Sequence, residues 1–156
     1  MARFTDVEER VESPSERRVR YFLAVMFFLQ TICTAIPFVQ GDKEDGTGEG
    51  TRTAFNFLVN PDGFGNEKAL PLAIIGAILV VFPIVAFFFC VLDSKSKKKF
   101  FVSGACAVIC AIVITFNFAS MISIGAIITL VLNVICLFMS SQGVMATSAR
   151  MRNQAK

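Results

Sequence analysis

The hydrophobic residues of this chain are gathered into four long, nearly uncharged runs, which polar segments separate. A helix of about 20 apolar residues is long enough to cross the hydrocarbon core of a bilayer, which is roughly 30 Å thick. The pattern therefore predicts an all-α integral membrane protein, built as a bundle of four transmembrane helices. The predicted spans cover residues 21–39, 70–92, 100–116 and 120–140.

The segment between the second and third predicted spans, residues 93–99, contains four lysines. A lysine at the bilayer centre costs roughly 2.5–3.5 kcal/mol, so this segment must lie outside the hydrocarbon. Short loops rich in lysine and arginine stay in the cytoplasm, which places both termini there as well. The predicted cytoplasmic parts are the N-terminal segment 1–20, this loop and the tail 141–156, with an extracytoplasmic loop at 40–69.

The distribution of charge agrees with this topology. The three cytoplasmic segments hold five, four and three basic residues, which makes twelve of the fifteen in the chain. Basic flanks on the inner face are also expected to attract anionic lipids, each Lys or Arg contributing about 1 kcal/mol near the surface. The expected partners therefore begin with the lipid bilayer and its anionic lipids at the cytoplasmic face, and nucleic acid is not expected. The predicted location is multi-pass in a cell or inner membrane.

Composition narrows the chemistry that the chain can perform. It is 54% hydrophobic with a mean hydropathy of +0.64, and a single membrane domain, residues 1–156, is expected. Histidine is absent, which excludes His-ligated haem, His-containing zinc sites and Ser-His or Cys-His nucleophile pairs. Tryptophan is also absent, so phenylalanines and the single tyrosine, Tyr21, must form any aromatic belt.

The first predicted span could instead be a cleaved signal peptide. The arginines at positions 17, 18 and 20 would form its charged region, and residues 33–35 make a small-x-small site. The apolar run is as long as a true span and has no helix breaker before Pro37, which favours a retained helix. Ser13 and Glu16 fit the capping-box pattern around Pro14, so the helix is expected to begin there.

The extracytoplasmic loop has two contrasting parts. Residues 41–50 are glycine-rich and acidic and are expected to be flexible, and their spacing does not match a calcium-binding loop. Residues 54–59 are apolar for a loop, so they are expected to lie on the outer membrane interface or to dock on the helices. Residues 60–63, Asn-Pro-Asp-Gly, predict a turn.

Small and weakly polar residues recur every three or four positions on the last two predicted helices. Such stripes let membrane helices approach closely, so the two stripes are expected to face each other. The third helix carries Ser103, Cys106, Cys110 and Asn117, and the fourth carries Ser123, Ala126, Thr129 (or Leu130), Asn133 and Cys136. In the second helix, Pro83 is expected to produce a kink, either static or acting as a hinge.

No Asp, Glu, Lys or Arg lies within the four predicted spans, which argues against an ion-coupled transporter. The notable polar residues there, which could line a pore or hold helices together, are Gln30, Thr31, Thr34, Asn117, Thr129 and Asn133. Interhelical hydrogen bonding is the commoner role, at about 0.6 kcal/mol per interaction. Asn133 is expected to face another helix and to pair with a hydroxyl, a carbonyl freed by Pro83, or its counterpart in a second copy.

The five cysteines lie in apolar runs without a C-x-x-C pair, so neither a disulfide framework nor a redox motif is indicated. Cys106 and Cys110 share a helix face and could form a metal or reactive pair, but packing is the expected role. No catalytic, cofactor-binding or metal-binding residue is assigned, and an enzyme is not expected.

The favoured function is a non-catalytic accessory or interaction subunit of a membrane complex, bound to a membrane protein partner or to further copies of itself. The alternative is a small oligomeric channel or transporter for ions or small solutes.

Overall fold

The computed structural model describes residues 12–42, 49–59, 69–93, 98–118 and 123–154. These residues are mostly helical. Their elements in chain order are α1 Pro14–Cys33, β1 Pro37–Asp42, β2 Glu49–Thr53, α2 Ala54–Val59, α3 Ala69–Leu92, α4 Lys98–Phe118 and α5 Ile124–Gln154. Two predicted features, the turn at 60–63 and the lysines at positions 95 and 97, lie outside the described residues.

Three helices are long and apolar enough to cross a membrane, which indicates a membrane protein. The segments are Pro71–Leu92 in α3, Lys98–Asn117 in α4 and Ile124–Ala149 in α5. The helices α3 and α4 begin and end within two residues of the second and third predicted spans. The helix α5 differs, because it continues from the predicted span into the segment 141–156, which the sequence assigned to a tail.

The extension of α5 is continuous, because residues 141–154 contain no proline that would remove a backbone donor. Hydroxyls in this segment bond back to carbonyls of the preceding turn, as in Thr147 Oγ1 to Gly143 O at 2.7 Å and Ser148 Oγ to Val144 O at 2.9 Å. The 31 residues of α5 make a helix of about 46 Å, longer than the hydrocarbon core of a bilayer.

The start of α1 confirms the predicted capping box. The Ser13 hydroxyl accepts a hydrogen bond from the Glu16 N–H at 3.2 Å, and the Glu16 carboxylate accepts one from the Ser13 N–H at 3.1 Å. Pro14 occupies the first turn, where its missing N–H leaves no helical bond unmade. Two of the donors that a helix N-terminus leaves unsatisfied are thereby bonded.

The end of α1 corrects the predicted span of 21–39. The helix stops at Cys33, and the chain turns before entering β1 at Pro37. Pro37 disfavours helical backbone at Ile36, which ends the helix although the following residues are still apolar. Residues 21–33 supply 13 uncharged helical residues, or about 20 Å, so whether α1 is a fourth span stays a prediction.

A small cap formed by β1, β2 and α2 packs on one end of the helices. The strands pair antiparallel, with Gln40 opposite Thr51 and Asp42 opposite Glu49, so the predicted flexible segment is in part a hairpin. The predicted docking of residues 54–59 is confirmed, because Ala54 and Phe57 are fully buried in α2. Backbone bonds from Phe55 N–H to Thr34 O and from Ser123 N–H to Phe38 O, both 3.3 Å, join the cap to its neighbours.

The interior between the long helices contains both apolar and polar residues, and the outer surface is largely apolar. The helix α1 packs against α3 and α5, and α4 packs against the same two helices. Buried polar residues lie between them, namely Gln30, Ser103, Thr129, Asn133 and Ser140, whereas large apolar side chains are exposed along all four helices. Exposed apolar surface of this extent is costly in water and normal in lipid.

Candidate functional site

One buried polar contact joins α1 to α5. Gln30 and Asn133 are 0% and 1% exposed, and the Gln30 Nε2 group donates a hydrogen bond to Asn133 Oδ1 at 3.0 Å. Gln30 follows Leu23 and Phe27 on the buried face of α1, at the spacing of one helix face. The prediction that Asn133 faces another helix is confirmed, but its partner is the amide of Gln30 and not a hydroxyl, a carbonyl freed by Pro83 or a second copy of Asn133.

Each amide of this pair has one further polar atom without a hydrogen-bond partner among the described residues, namely Gln30 Oε1 and Asn133 Nδ2. One is an acceptor and the other a donor, so a second bond between the same two side chains would satisfy both. The two amides can therefore satisfy each other. Hydrogen bonds of this kind between helices stabilise their packing where no water is present.

The first test is the replacement Asn133→Leu, which we expect to lower the free energy of unfolding by about 1 kcal/mol, because Gln30 loses its partner. The double variant Gln30→Leu/Asn133→Leu is expected to recover part of this loss, since no buried amide then remains unpaired. Unfolding in mixed detergent micelles measures both effects. Strictly additive losses from the two single changes would contradict the pairing.

A second polar cluster lies at the start of α1. The Glu12 carboxylate accepts hydrogen bonds from Arg20 Nε at 2.9 Å and 3.1 Å and from Lys99 Nζ at 2.6 Å. The three side chains are only 4–7% exposed. This buried ion cluster, defined as Glu12, Arg20 and Lys99, links the segment before α1 with α1 itself and with the first turn of α4.

Arg20 also closes the end of α3. Its Nη1 group donates to the carbonyl oxygens of Cys90 at 3.0 Å and Val91 at 3.3 Å, in the last turn of that helix. A cation is favourable there, because a helix C-terminus leaves carbonyls unbonded and carries partial negative charge. Burial alone would lower the pKa of Arg20, but the hydrogen bond and negative charge of Glu12 outweigh it and hold that pKa above its ordinary value. Arg20 therefore remains charged.

The predicted meeting of the two small-residue stripes is only partly correct. The helices α4 and α5 do pack together, and most residues of both stripes are buried. However, Ser103 Oγ lies 3.2 Å from Cys90 Sγ and Cys110 Sγ lies 3.9 Å from Ile78 O, so both face α3. Asn133 faces α1 instead of α4. A helix surrounded by two neighbours divides its small residues between them, which spacing on one helix cannot reveal.

Two glycines lie at the contact between α4 and α5. Gly104 lies against Ser140, and Gly143 lies against the buried ring of Phe100. Asn117, which the sequence placed in the stripe, is exposed and donates to Val113 O of its own helix at 2.9 Å.

The remaining polar residues named from the sequence bond within their own helices. Thr129 is buried and donates to Gly125 O at 2.8 Å, and Thr31 donates to Phe27 O at 2.9 Å. Thr34 is buried and donates to Thr31 O at 2.6 Å. Each of the three hydroxyls thus donates its single proton to a backbone carbonyl and to no other helix.

The cysteines are all buried and reduced. Cys106 and Cys110, which could have formed a metal or reactive pair, belong to no group of three or more potential metal ligands in the part of the chain that the structure describes. Their surroundings are apolar side chains of the helix interior.

The ion cluster is what sequence reasoning missed. Glu12 and Lys99 are 87 positions apart. The sequence placed both in cytoplasmic segments, whose basic residues were expected to attract lipid. The available signal was the acidic residue Glu12, close to the basic residues that precede the first predicted span. This signal did not identify a partner on another helix.

No protein-family model, no curated protein and no solved structure matches this chain. Any assignment of function therefore depends on the contacts described above.

Proposed function

We propose that the protein is a non-catalytic accessory subunit of a membrane complex, with four spans, and with both termini and the loop at 93–99 in the cytoplasm. One observation carries this proposal: buried amide and charged side chains from separate parts of the described chain bond to one another. Gln30 pairs with Asn133, and Glu12 pairs with Arg20 and Lys99. Side chains used in this way hold helices together, which is the role expected of a non-catalytic subunit.

The exposure pattern of α1 supports a fourth span. Its exposed residues between positions 21 and 33 are almost all large and apolar, whereas the amide of Gln30 is turned inward. Exposure of this apolar face is unfavourable in water and favourable in lipid. The exposed residues of this face are Tyr21, Phe22, Val25, Phe28, Leu29 and Ile32.

The topology is tested by labelling single introduced cysteines in intact cells. Cysteine at position 48 is expected to react with an impermeant thiol reagent, and cysteine at position 96 only after permeabilisation. The five native cysteines are buried, so the unaltered chain provides a low background. Labelling of intact cells at position 96 but not at position 48 would show that the orientation is opposite to the one proposed.

The accessory function is tested by purifying the full chain in mild detergent and identifying what accompanies it. A heteromeric partner at fixed stoichiometry supports the proposal. A symmetric homo-oligomer, combined with solute flux in vesicles that Asn133→Leu abolishes without unfolding the protein, would favour a channel instead.

A further inference from the structure

The charged residues in the first turns of α1 are of two kinds. Glu16 and Arg20 are 7% and 6% exposed, and their side chains bond to Ser13 and to Glu12 and the end of α3, respectively. Arg17 and Arg18 are exposed, and their side chains form no ion pair or hydrogen bond with any described residue. Two guanidinium groups on this surface are therefore available to a ligand.

The residues one turn further along continue this surface. Tyr21 is 56% exposed and Phe22 is 38% exposed. Residues four apart lie on one face of a helix, so Tyr21 follows Arg17 and Phe22 follows Arg18. Along this surface, the cationic end is followed by exposed rings and then by further apolar side chains. This order matches that of headgroup, interface and acyl chain in one leaflet.

We propose that Arg17 and Arg18 bind the phosphate of an anionic membrane phospholipid, whose acyl chain lies along Phe22 and Val25. The guanidinium group suits this ligand, because its N–H groups can bond two phosphate oxygens at once. Charge complementarity selects an anionic lipid over a zwitterionic one. The inference rests on the proposed function, since it requires α1 to span the membrane with its N-terminal end on the inner side.

Because α1 is short, a lipid bound at its N-terminal end would help to fix the position of the helix in the membrane. Its uncharged helical part covers about 20 Å, against roughly 30 Å of hydrocarbon, so the position of α1 depends on what holds its ends. The cap holds one end through Thr34. At the other end, the buried ion cluster holds the inward face, and the lipid phosphate would hold the outward face.

The protein contains its own reporter for this site. Tyr21 is the single tyrosine and there is no tryptophan, so intrinsic fluorescence comes from a residue beside Arg17 and Arg18. The full chain is reconstituted in phosphatidylcholine vesicles that contain either bromine-labelled phosphatidylglycerol or bromine-labelled phosphatidylcholine. We expect the anionic lipid to quench Tyr21 at a lower mole fraction than the zwitterionic lipid.

The variant Arg17→Gln/Arg18→Gln separates a lipid site from a structural role. Each arginine is expected to contribute about fivefold to the relative binding constant for phosphatidylglycerol, and the pair about thirtyfold. Thermal stability in neutral detergent is expected to stay unchanged, since neither side chain forms an ion pair or hydrogen bond with another described residue. The control Lys98→Gln removes one exposed positive charge on α4, and its effect on quenching should be smaller than that of either arginine.

Three results would overturn this inference. Equal quenching by the two lipids in the unaltered protein would remove the lipid site and leave the four-span proposal standing. An equal effect of Lys98→Gln would show that general surface charge, and no defined site, attracts the lipid. Absence of quenching by either lipid would show that Tyr21 lies outside the bilayer, which would also contradict the topology.

Discussion

Replacing Glu12 with glutamine is expected to lower the free energy of unfolding by about 3–5 kcal/mol, the largest single effect predicted for this chain. The change removes the carboxylate that accepts from both Arg20 and Lys99, while the size of the side chain is preserved. The two cations remain where they are almost fully buried, and a buried charge that loses its partner is costly. Unfolding in mixed micelles at fixed ionic strength measures the loss.

Two controls distinguish this effect from a general loss of charge at the inner end. Arg17→Gln changes a charge on the same helix at an exposed position, and its effect should be close to zero. Adding Lys99→Met to Glu12→Gln should restore part of the lost stability, because one of the two buried cations that faced the carboxylate is then removed. A loss below about 1 kcal/mol for Glu12→Gln alone would mean that water screens the cluster, contrary to its burial.

The second large effect is expected from alanine at Gly76 or Gly125. A Cβ at Gly76 would lie 2.7 Å from Leu58 N, and one at Gly125 would lie 2.6 Å from Pro37 O. Both contacts are with backbone, so the cap would have to move away from α3 or α5. We expect each variant to be about 1–3 kcal/mol less stable than a glycine-to-alanine control.

Gly104→Ala provides that control. A Cβ at this position would meet Ser140 Cβ at 3.5 Å, which is an ordinary van der Waals contact. The gain in helix propensity from glycine to alanine is common to all three helical positions, so it cancels in the comparison. If all three variants were equally stable, the cap would not be packed as closely as described.

Much of the fold could be predicted from the pattern of residues. Long uncharged runs can satisfy their backbone groups in lipid only as helices, and charged segments cannot remain in the hydrocarbon. These two constraints are local, and they place α3 and α4 almost to the residue. The capping box at Ser13 is local in the same sense, since both of its bonds join residues three apart.

The ends of the first and last helices were less predictable, because hydropathy does not decide where a helix stops. Residues 34–39 are apolar enough to extend α1, but the chain leaves the helix ahead of Pro37 and pairs as a strand. Residues 141–154 are polar enough to form a tail, but they continue α5. In both segments backbone bonding decided the conformation.

Some features of the candidate site also followed from the sequence, and others followed only from the packing of the helices. The sequence by itself determined that Asn133 must face another helix, since an amide in lipid needs a partner. It also predicted that the arginines of α1 lie at a membrane boundary. Only the tertiary structure decided that the partner is Gln30, that Arg20 turns inward to Glu12 while Arg17 and Arg18 turn outward, and that Ser103 faces α3. Local spacing defines the faces of one helix, whereas the neighbour that each face meets depends on how all the helices pack together.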